Sequence, residues 1–379
     1  MLQRGLIGAA MLLLGGGAGW VMHRSDYCLS AMFRDLFLFR SGFLLRTFAL
    51  LVVATAVLFE LARLSGALPR YPFPLLTPPI LAGALGGALF GVGMVLAGGC
   101  VVGTLYKMGS GNAVNATAFV GMLLGSAVYA ELHPLWAGFA SRTRLADTAT
   151  TLPQFLGVSP GWFVAALATV GGVAFWHWHR RGLWSRNTAV AGYLQPWRAA
   201  LLLSLISVAA YCVAGMPLGI TTCYAKIAAA AEHLIAPEHA ASVAFFHLVP
   251  LKLDLPWAGI RLSGGPGPGW DDIALIQGGT ILGLVLGGGA SAAVLGEWRF
   301  RASAPPRQFL SALLGGVLLA LGSRTAFGCN VWFLLGGVPI FAAQSGLFLA
   351  GLLPGTWLGT RLLTRFVLPA HPTGQGGTE

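Results

Sequence analysis

The stretch Leu85-Gly-Gly-Ala-Leu-Phe-Gly-Val-Gly-Met-Val-Leu-Ala-Gly-Gly-Cys100 is a glycine-studded apolar segment that runs directly into a cysteine. A second stretch, Leu314-Gly-Gly-Val-Leu-Leu-Ala-Leu-Gly-Ser-Arg-Thr-Ala-Phe-Gly-Cys329, aligns with it without a gap. The two match at Leu85/Leu314, Gly86/Gly315, Gly87/Gly316, Leu89/Leu318, Gly93/Gly322, Ala97/Ala326, Gly99/Gly328 and Cys100/Cys329. This is an internal repeat, and it sets one thiol at the same point of each half. Gly98 to Asn112 is half apolar, rich in glycine and too short to cross a bilayer. Irregular backbone at membrane depth persists only where it lines a protein cavity, so the segment reads as a re-entrant half-helix.

Working outward, the whole chain shares this character. It is 56% hydrophobic and only 9% charged, with a mean hydropathy of +0.75, too apolar for a water-soluble globule. Several windows reach the roughly 17–20 apolar residues that a membrane-crossing helix needs, without the alternation of a barrel strand. The fold class is therefore an all-α polytopic membrane protein. The net charge of +11 is spread through short connections and forms no arm or stripe, which argues against nucleic acid and for a topology signal. The five cysteines, Cys28, Cys100, Cys212, Cys223 and Cys329, include no C-x-x-C and no zinc-spaced histidine, so neither a disulfide scaffold nor a metal centre is expected. No cofactor is expected either.

Spans are expected near 5–22, 44–64, 80–97, 114–132, 160–177, 197–215, 273–295, 308–323 and 344–362, about nine in all. Short re-entrant helices accompany them. Residues 1–140 form the first repeat, 141–196 a loop and linker helix, 197–365 the second repeat with an inserted loop over about 232–272, and 366–379 a polar tail. From about His133 to Pro160 the chain reads as loop. An odd linker between two four-span halves inverts the second copy, and inverted repeats point to a transporter. Arg24, Arg34, Arg40, Arg180, Arg181, Arg186, Arg299, Arg301, Arg307, Arg361 and Arg365 all fall on one side, which places the N-terminus outside and the C-terminus in the cytoplasm.

The chemistry lies in the thiols. A buried neutral thiol is a soft contact and a weak donor. It can hydrogen-bond a sulfur-bearing anion that a thiolate would repel, and a helix N-terminus beside Gly99 or Gly328 adds N–H donors and partial positive charge. Weak contacts at several sites suit conduction, because the solute must also leave. Cys100 and Cys329 carry this reading most strongly and are expected to face each other across the midplane. Cys28 and Cys223 follow, whereas Cys212 reads as packing. Arg324, Lys107 and Lys226 are candidate anion-attracting residues, and the first stands in the repeat where the other half has Val95.

These residues resemble the YeeE/YedE family of bacterial inner-membrane proteins, the sulfur-transport domain family. The resemblance rests on Asp26-Tyr-Cys28, Leu96-Ala-Gly-Gly-Cys100, Gly103-Thr-Leu-Tyr-Lys-Met-Gly-Ser-Gly-Asn112, Gly219-Ile-Thr-Thr222 and Gly322-Ser-Arg-Thr-Ala-Phe-Gly-Cys329-Asn330. It implies two inverted pseudo-symmetric repeats, an inner-membrane location, and uptake of thiosulfate relayed by S–H contacts along Cys28, Cys100 and Cys329. A cytoplasmic sulfur-carrier protein of the TusA type is the implied partner, with membrane lipid around the helices. The alternatives are another sulfur or selenium species as substrate, or a membrane sulfurtransferase that forms a persulfide. The first reading is not an enzyme.

Overall fold

In the computed structural model, which describes residues 2–68, 70–185 and 192–367, the chain is built almost wholly from helices. The first half holds α1 (Leu2–Ser25), α2 (Leu29–Leu38), α3 (Phe43–Leu64), α4 (Ala82–Leu96), α5 (Val101–Gly109) and α6 (Ala113–Arg142). After α7 (Leu152–Leu156) and α8 (Pro160–Arg180) come α9 (Pro196–Ala214), α10 (Thr221–Ile235), α11 (Pro237–Ser242), strands β1 (Leu251–Leu255) and β2 (Ile260–Gly264), α12 (Asp272–Val294), α13 (Pro306–Thr325) and α14 (Ala343–Leu362). Arg186 and nearly all of the expected polar tail lie outside the described residues.

Among the described residues, seven segments are long and apolar enough to cross a membrane: Leu2–Leu38, Phe43–Leu64, Ala82–Gly109, Ala113–Arg142, Pro196–Ala214, Asp272–Val294 and Pro306–Thr325. The protein is a multi-pass membrane protein. Helices α8 and α14, of 21 and 20 residues, have crossing length but fall short in apolarity, α8 through its histidine-rich end and α14 through Gln344, Ser345 and Thr356. The nine expected crossings thus divide into seven that meet both criteria among the described residues and two that meet length alone. Leu85 and Leu314, equivalent in the repeat, are 50% and 52% exposed, as side chains facing lipid are.

Glycines decide how the helices meet. A β-carbon on Gly86 would lie 2.7 Å from the Gly322 carbonyl oxygen, and one on Gly93 would lie 2.8 Å from that of Gly315. Only bare backbone allows α4 and α13 to come this close. In the sequence repeat Gly86 corresponds to Gly315 and Gly93 to Gly322, so each helix meets the opposite number of its own contact, and the two run antiparallel. That reciprocal pattern belongs to a two-fold relation. The same exchange recurs outward, since α4 packs on α14 and α13 on α6, while α1 packs on α12 and α3 on α9. Each half buries its helices against the other.

Two segments differ from expectation. Helix α6 continues through Pro134 to Arg142, ten residues into the stretch read as loop from about His133. A proline inside a helix removes one hydrogen bond, and here the loss is offset by the packing of α6 against α13, α5 and α10. The inserted segment after Glu232 is ordered into α11 and an antiparallel hairpin, Leu251 opposite Gly264 and Leu255 opposite Ile260. Leu251, Leu253 and Leu255 are buried between exposed Lys252 and Asp254, a period-two pattern masked by the prolines around it.

Candidate functional site

Three of the cysteines occupy one kind of position. Cys100 is the N-cap of the nine-residue α5, and its sulfur accepts from the Gly103 N–H at 3.3 Å. Cys28 is the N-cap of α2, its sulfur facing the Ser30 and Ala31 N–H groups. Cys329 precedes a second short helix, residues 330–340, and faces the N–H groups of Val331 and Trp332. Each thiol therefore sits at the positive end of a short helix, where a passing anion also finds unsatisfied donors. All three are almost fully buried.

The backbone that turns each chain into its half-helix is also repeated. Gly98 has φ +69° and its repeat partner Phe327 φ +66°. Glycine adopts this left-handed turn freely; for a phenylalanine it is strained. The strained copy lies on the wall of a cavity that Cys329 also lines.

Cys28 and Cys100 stand side by side as hydrogen-bonding partners. A β-carbon on Gly103 would lie 3.0 Å from the Cys28 sulfur and 3.4 Å from that of Cys100, so a larger residue would separate the pair. Cys28 is thus a direct neighbour of Cys100, a pairing within the first half that the sequence reading did not anticipate. Asn330 lies beside the Cys100 sulfur, and the Tyr224 hydroxyl is within electrostatic reach of Cys100, Cys223 and Cys329. Cys223 lies inside the first turn of α10, where the N-cap is Ile220, and its N–H donates to Gln277 Oε1 at 2.9 Å. It does not share the capping geometry of the other three. Cys212 is half-buried on α9.

Two cavities flank this cluster and share no lining residue. One, of about 580 Å³, is lined by His23, Asp26, Arg34, Lys107, Glu297 and Arg301 among others. Lys107 Nζ donates to the Gly98 carbonyl at 3.0 Å, at the break between α4 and α5. Tyr193 donates to both Glu297 oxygens at 2.8 and 3.0 Å. Burial, and then Glu297, push its phenol up to about 12, so it stays a donor.

The other cavity, of about 410 Å³, includes Thr222, His133, Phe245, Arg324 and Cys329 in its wall. It opens at the far end of α13. Arg324 Nη1 reaches Thr222 Oγ1 at 3.5 Å, while Nε and Nη2 are buried without a partner. No carboxylate lies within ion-pair distance of it among the described residues. An unpaired guanidinium of this kind is costly and marks a place for an anion. Lys226 is different: its ammonium donates to the carbonyls of Gly265 and Gly267 and to Asp271 Oδ2, at 3.1, 2.8 and 2.8 Å. All three of its donors are used to tie the inserted segment to α10, and it lines neither cavity.

The sequence reading did not single out Asn330, Tyr224 and Thr222 as site residues. The signals were their places next to Cys329 and Cys223 and, for Thr222 and Asn330, their membership of the quoted family motifs.

A family model described as sulphur transport matches residues 24–358. The chain belongs to the sulphur-transport family. Within that family it is 28% identical to a thiosulfate transporter, TsuA, of Spirochaeta thermophila over 374 residues, covering 93% of this chain and 98% of the relative. It is 26% identical to the thiosulfate transporter TsuA of Escherichia coli over 382 residues, with 96% and 95% covered. A shorter likeness, 30% over 112 residues, links it to the probable transporter YedE of Escherichia coli, covering 29% of this chain and 26% of that protein. The match to the sulphur-transport family spans all three capping cysteines.

Proposed function

We propose that this protein is a thiosulfate transporter of the bacterial inner membrane, in which Cys28, Cys100 and Cys329 pass the anion inward by neutral S–H contacts. The observation that carries the reading is the shared position of the three thiols. Each caps a short helix, they lie between two cavities, and an unpaired arginine stands at one mouth. Thiosulfate enters at Arg324, meets Cys329, passes to Cys100 and Cys28, and leaves beside Lys107. On this reading the side with the arginine-rich connections is cytoplasmic, so the Lys107 cavity faces the cytoplasm and the Arg324 cavity and the N-terminus lie outside. A TusA-like sulfur carrier collects the product there. Of the two inverted repeats, 1–140 supplies the short helices capped by Cys28 and Cys100, and 197–365 the one capped by Cys329.

Because each contact is weak, no step binds tightly enough to trap the ion. The protein acts as a transporter and not as a sulfurtransferase. The test is uptake of radiolabelled thiosulfate into liposomes holding the purified protein, with sulfite, sulfate and selenium analogues as competitors. Saturable uptake above empty liposomes is expected. No uptake, or mass-spectrometric detection of an added sulfur atom on a cysteine after turnover, overturns the reading in favour of no thiosulfate role or of persulfide chemistry.

A further inference from the structure

The packed zone between the two cavities holds buried polar atoms with no strong partner. Tyr224 Oη and Thr104 Oγ1 have no hydrogen-bond partner, and Tyr106 Oη and both polar side-chain atoms of Asn330 find none beyond the weak contact of a cysteine sulfur. All four side chains are at most 2% exposed. Native interiors contain few such groups, because an unmade buried hydrogen bond destabilises the fold. These are not scattered. Asn330 lies beside the Cys100 sulfur and Tyr106 beside that of Cys28. Tyr224 is in reach of Cys100 and Cys329, and Thr104 follows Gly103, the glycine against which the Cys28 and Cys100 sulfurs both lie. They come from α5, α10 and the short helix after Cys329, and none carries a charge.

We infer that Tyr224 and Asn330 form an uncharged oxyanion site, which holds the sulfonate oxygens of thiosulfate while its outer sulfur is handed from Cys329 to Cys100. The inference deepens the thiosulfate reading and rests on it. A dianion entering the packed zone loses its water, and thiols are too weak as donors to replace the water around three oxygens. The Tyr224 hydroxyl and the Asn330 amide supply the missing donors from two separate elements, α10 and the short helix after Cys329. A cation at this depth would hold the ion too firmly, whereas neutral donors let it continue toward Lys107. Thr104, beside Gly99, and Tyr106, beside Cys28, act in the same way farther along the route.

The test compares wild type with Tyr224→Phe and Asn330→Val, each as full-length protein. Uptake of radiolabelled thiosulfate is measured in liposomes, and thermal unfolding in detergent with and without thiosulfate. Without thiosulfate, Tyr224→Phe is expected to unfold at the wild-type temperature or above it, since an unsatisfied group has been removed. Its uptake falls about tenfold or more, the worth of a hydrogen bond to a charged group, and the thiosulfate-induced rise in Tm shrinks. Asn330→Ser, which keeps a donor, retains more uptake than Asn330→Val. Wild-type uptake and an undiminished thiosulfate shift in Tyr224→Phe and Asn330→Val overturn the inference, as does a loss of Tm with normal uptake per folded protein. A wild-type protein indifferent to thiosulfate brings down the thiosulfate reading and this inference together, whereas active wild type with unaffected variants brings down the inference alone.

Discussion

Replacing Arg324 by methionine removes the charge at the mouth of the 410 Å³ cavity and keeps most of the side-chain volume. A guanidinium and one unit of anion charge about 4 Å apart interact by about 4 kcal/mol at an effective dielectric of about 20. Desolvation of the anion and water in the open cavity remove much of this, leaving about 1.5–3 kcal/mol, as for other charge-assisted hydrogen bonds. At 1.4 kcal/mol per factor of ten, KM for uptake is expected to rise about 10- to 100-fold. The free protein should not lose stability, because Nε and Nη2 are already buried without partners and an unpaired buried charge is a liability. Initial-rate uptake across a range of thiosulfate concentrations reads KM, and thermal unfolding reads stability. Arg324→Lys keeps the charge but not the fork, and falls between the two. Salt should weaken wild-type uptake more than that of Arg324→Met. Unchanged KM in Arg324→Met, or a marked fall in Tm, would refute the assignment of this residue to the anion and make it a structural group.

Three further outcomes follow from the same geometry. Lys226→Met removes the cation paired with Asp271 and the donor of the Gly265 and Gly267 carbonyls, and is expected to cost about 3–5 kcal/mol of stability; the protein that still folds should transport with unaltered KM, read by unfolding and uptake in parallel. Gly93→Leu drives a side chain into backbone 2.7–3.0 Å away on α13, beyond what core adjustment absorbs, so the variant should fail to yield monodisperse protein on size-exclusion chromatography. Gly103→Ala places a methyl between the Cys28 and Cys100 sulfurs and should lower the maximal uptake rate more than it lowers Tm, measured on the same preparation.

The spans were legible because apolar runs of this length have one stable solution in a bilayer. The Gly-Cys repeat was legible too, since the same glycines that pack α4 on α13 stand at the same offsets from both cysteines. What stayed hidden depends on contacts between distant segments. Nothing near Lys226 in sequence announces that Gly265, Gly267 and Asp271 will consume its ammonium. The adjacency of Cys28 and Cys100 likewise follows from the way the end of α1 meets α5. The continuation of α6 through Pro134 reads as a break, and the hairpin at 251–264 reads as a proline-rich loop, since local breakers dominate any view that lacks tertiary support. Cys223 has a cysteine's chemistry but not the capping position, which only backbone geometry separates.

The proposed route runs through the three capping thiols, and the measurement that tests it most directly is initial-rate uptake of radiolabelled thiosulfate into liposomes by Cys28→Ala, Cys100→Ala and Cys329→Ala, with Cys212→Ala as the control. Each of the first three is expected to lose most of the wild-type rate while remaining folded, and Cys212→Ala to match wild type. Wild-type rates in Cys28→Ala, Cys100→Ala and Cys329→Ala alike would contradict the relay.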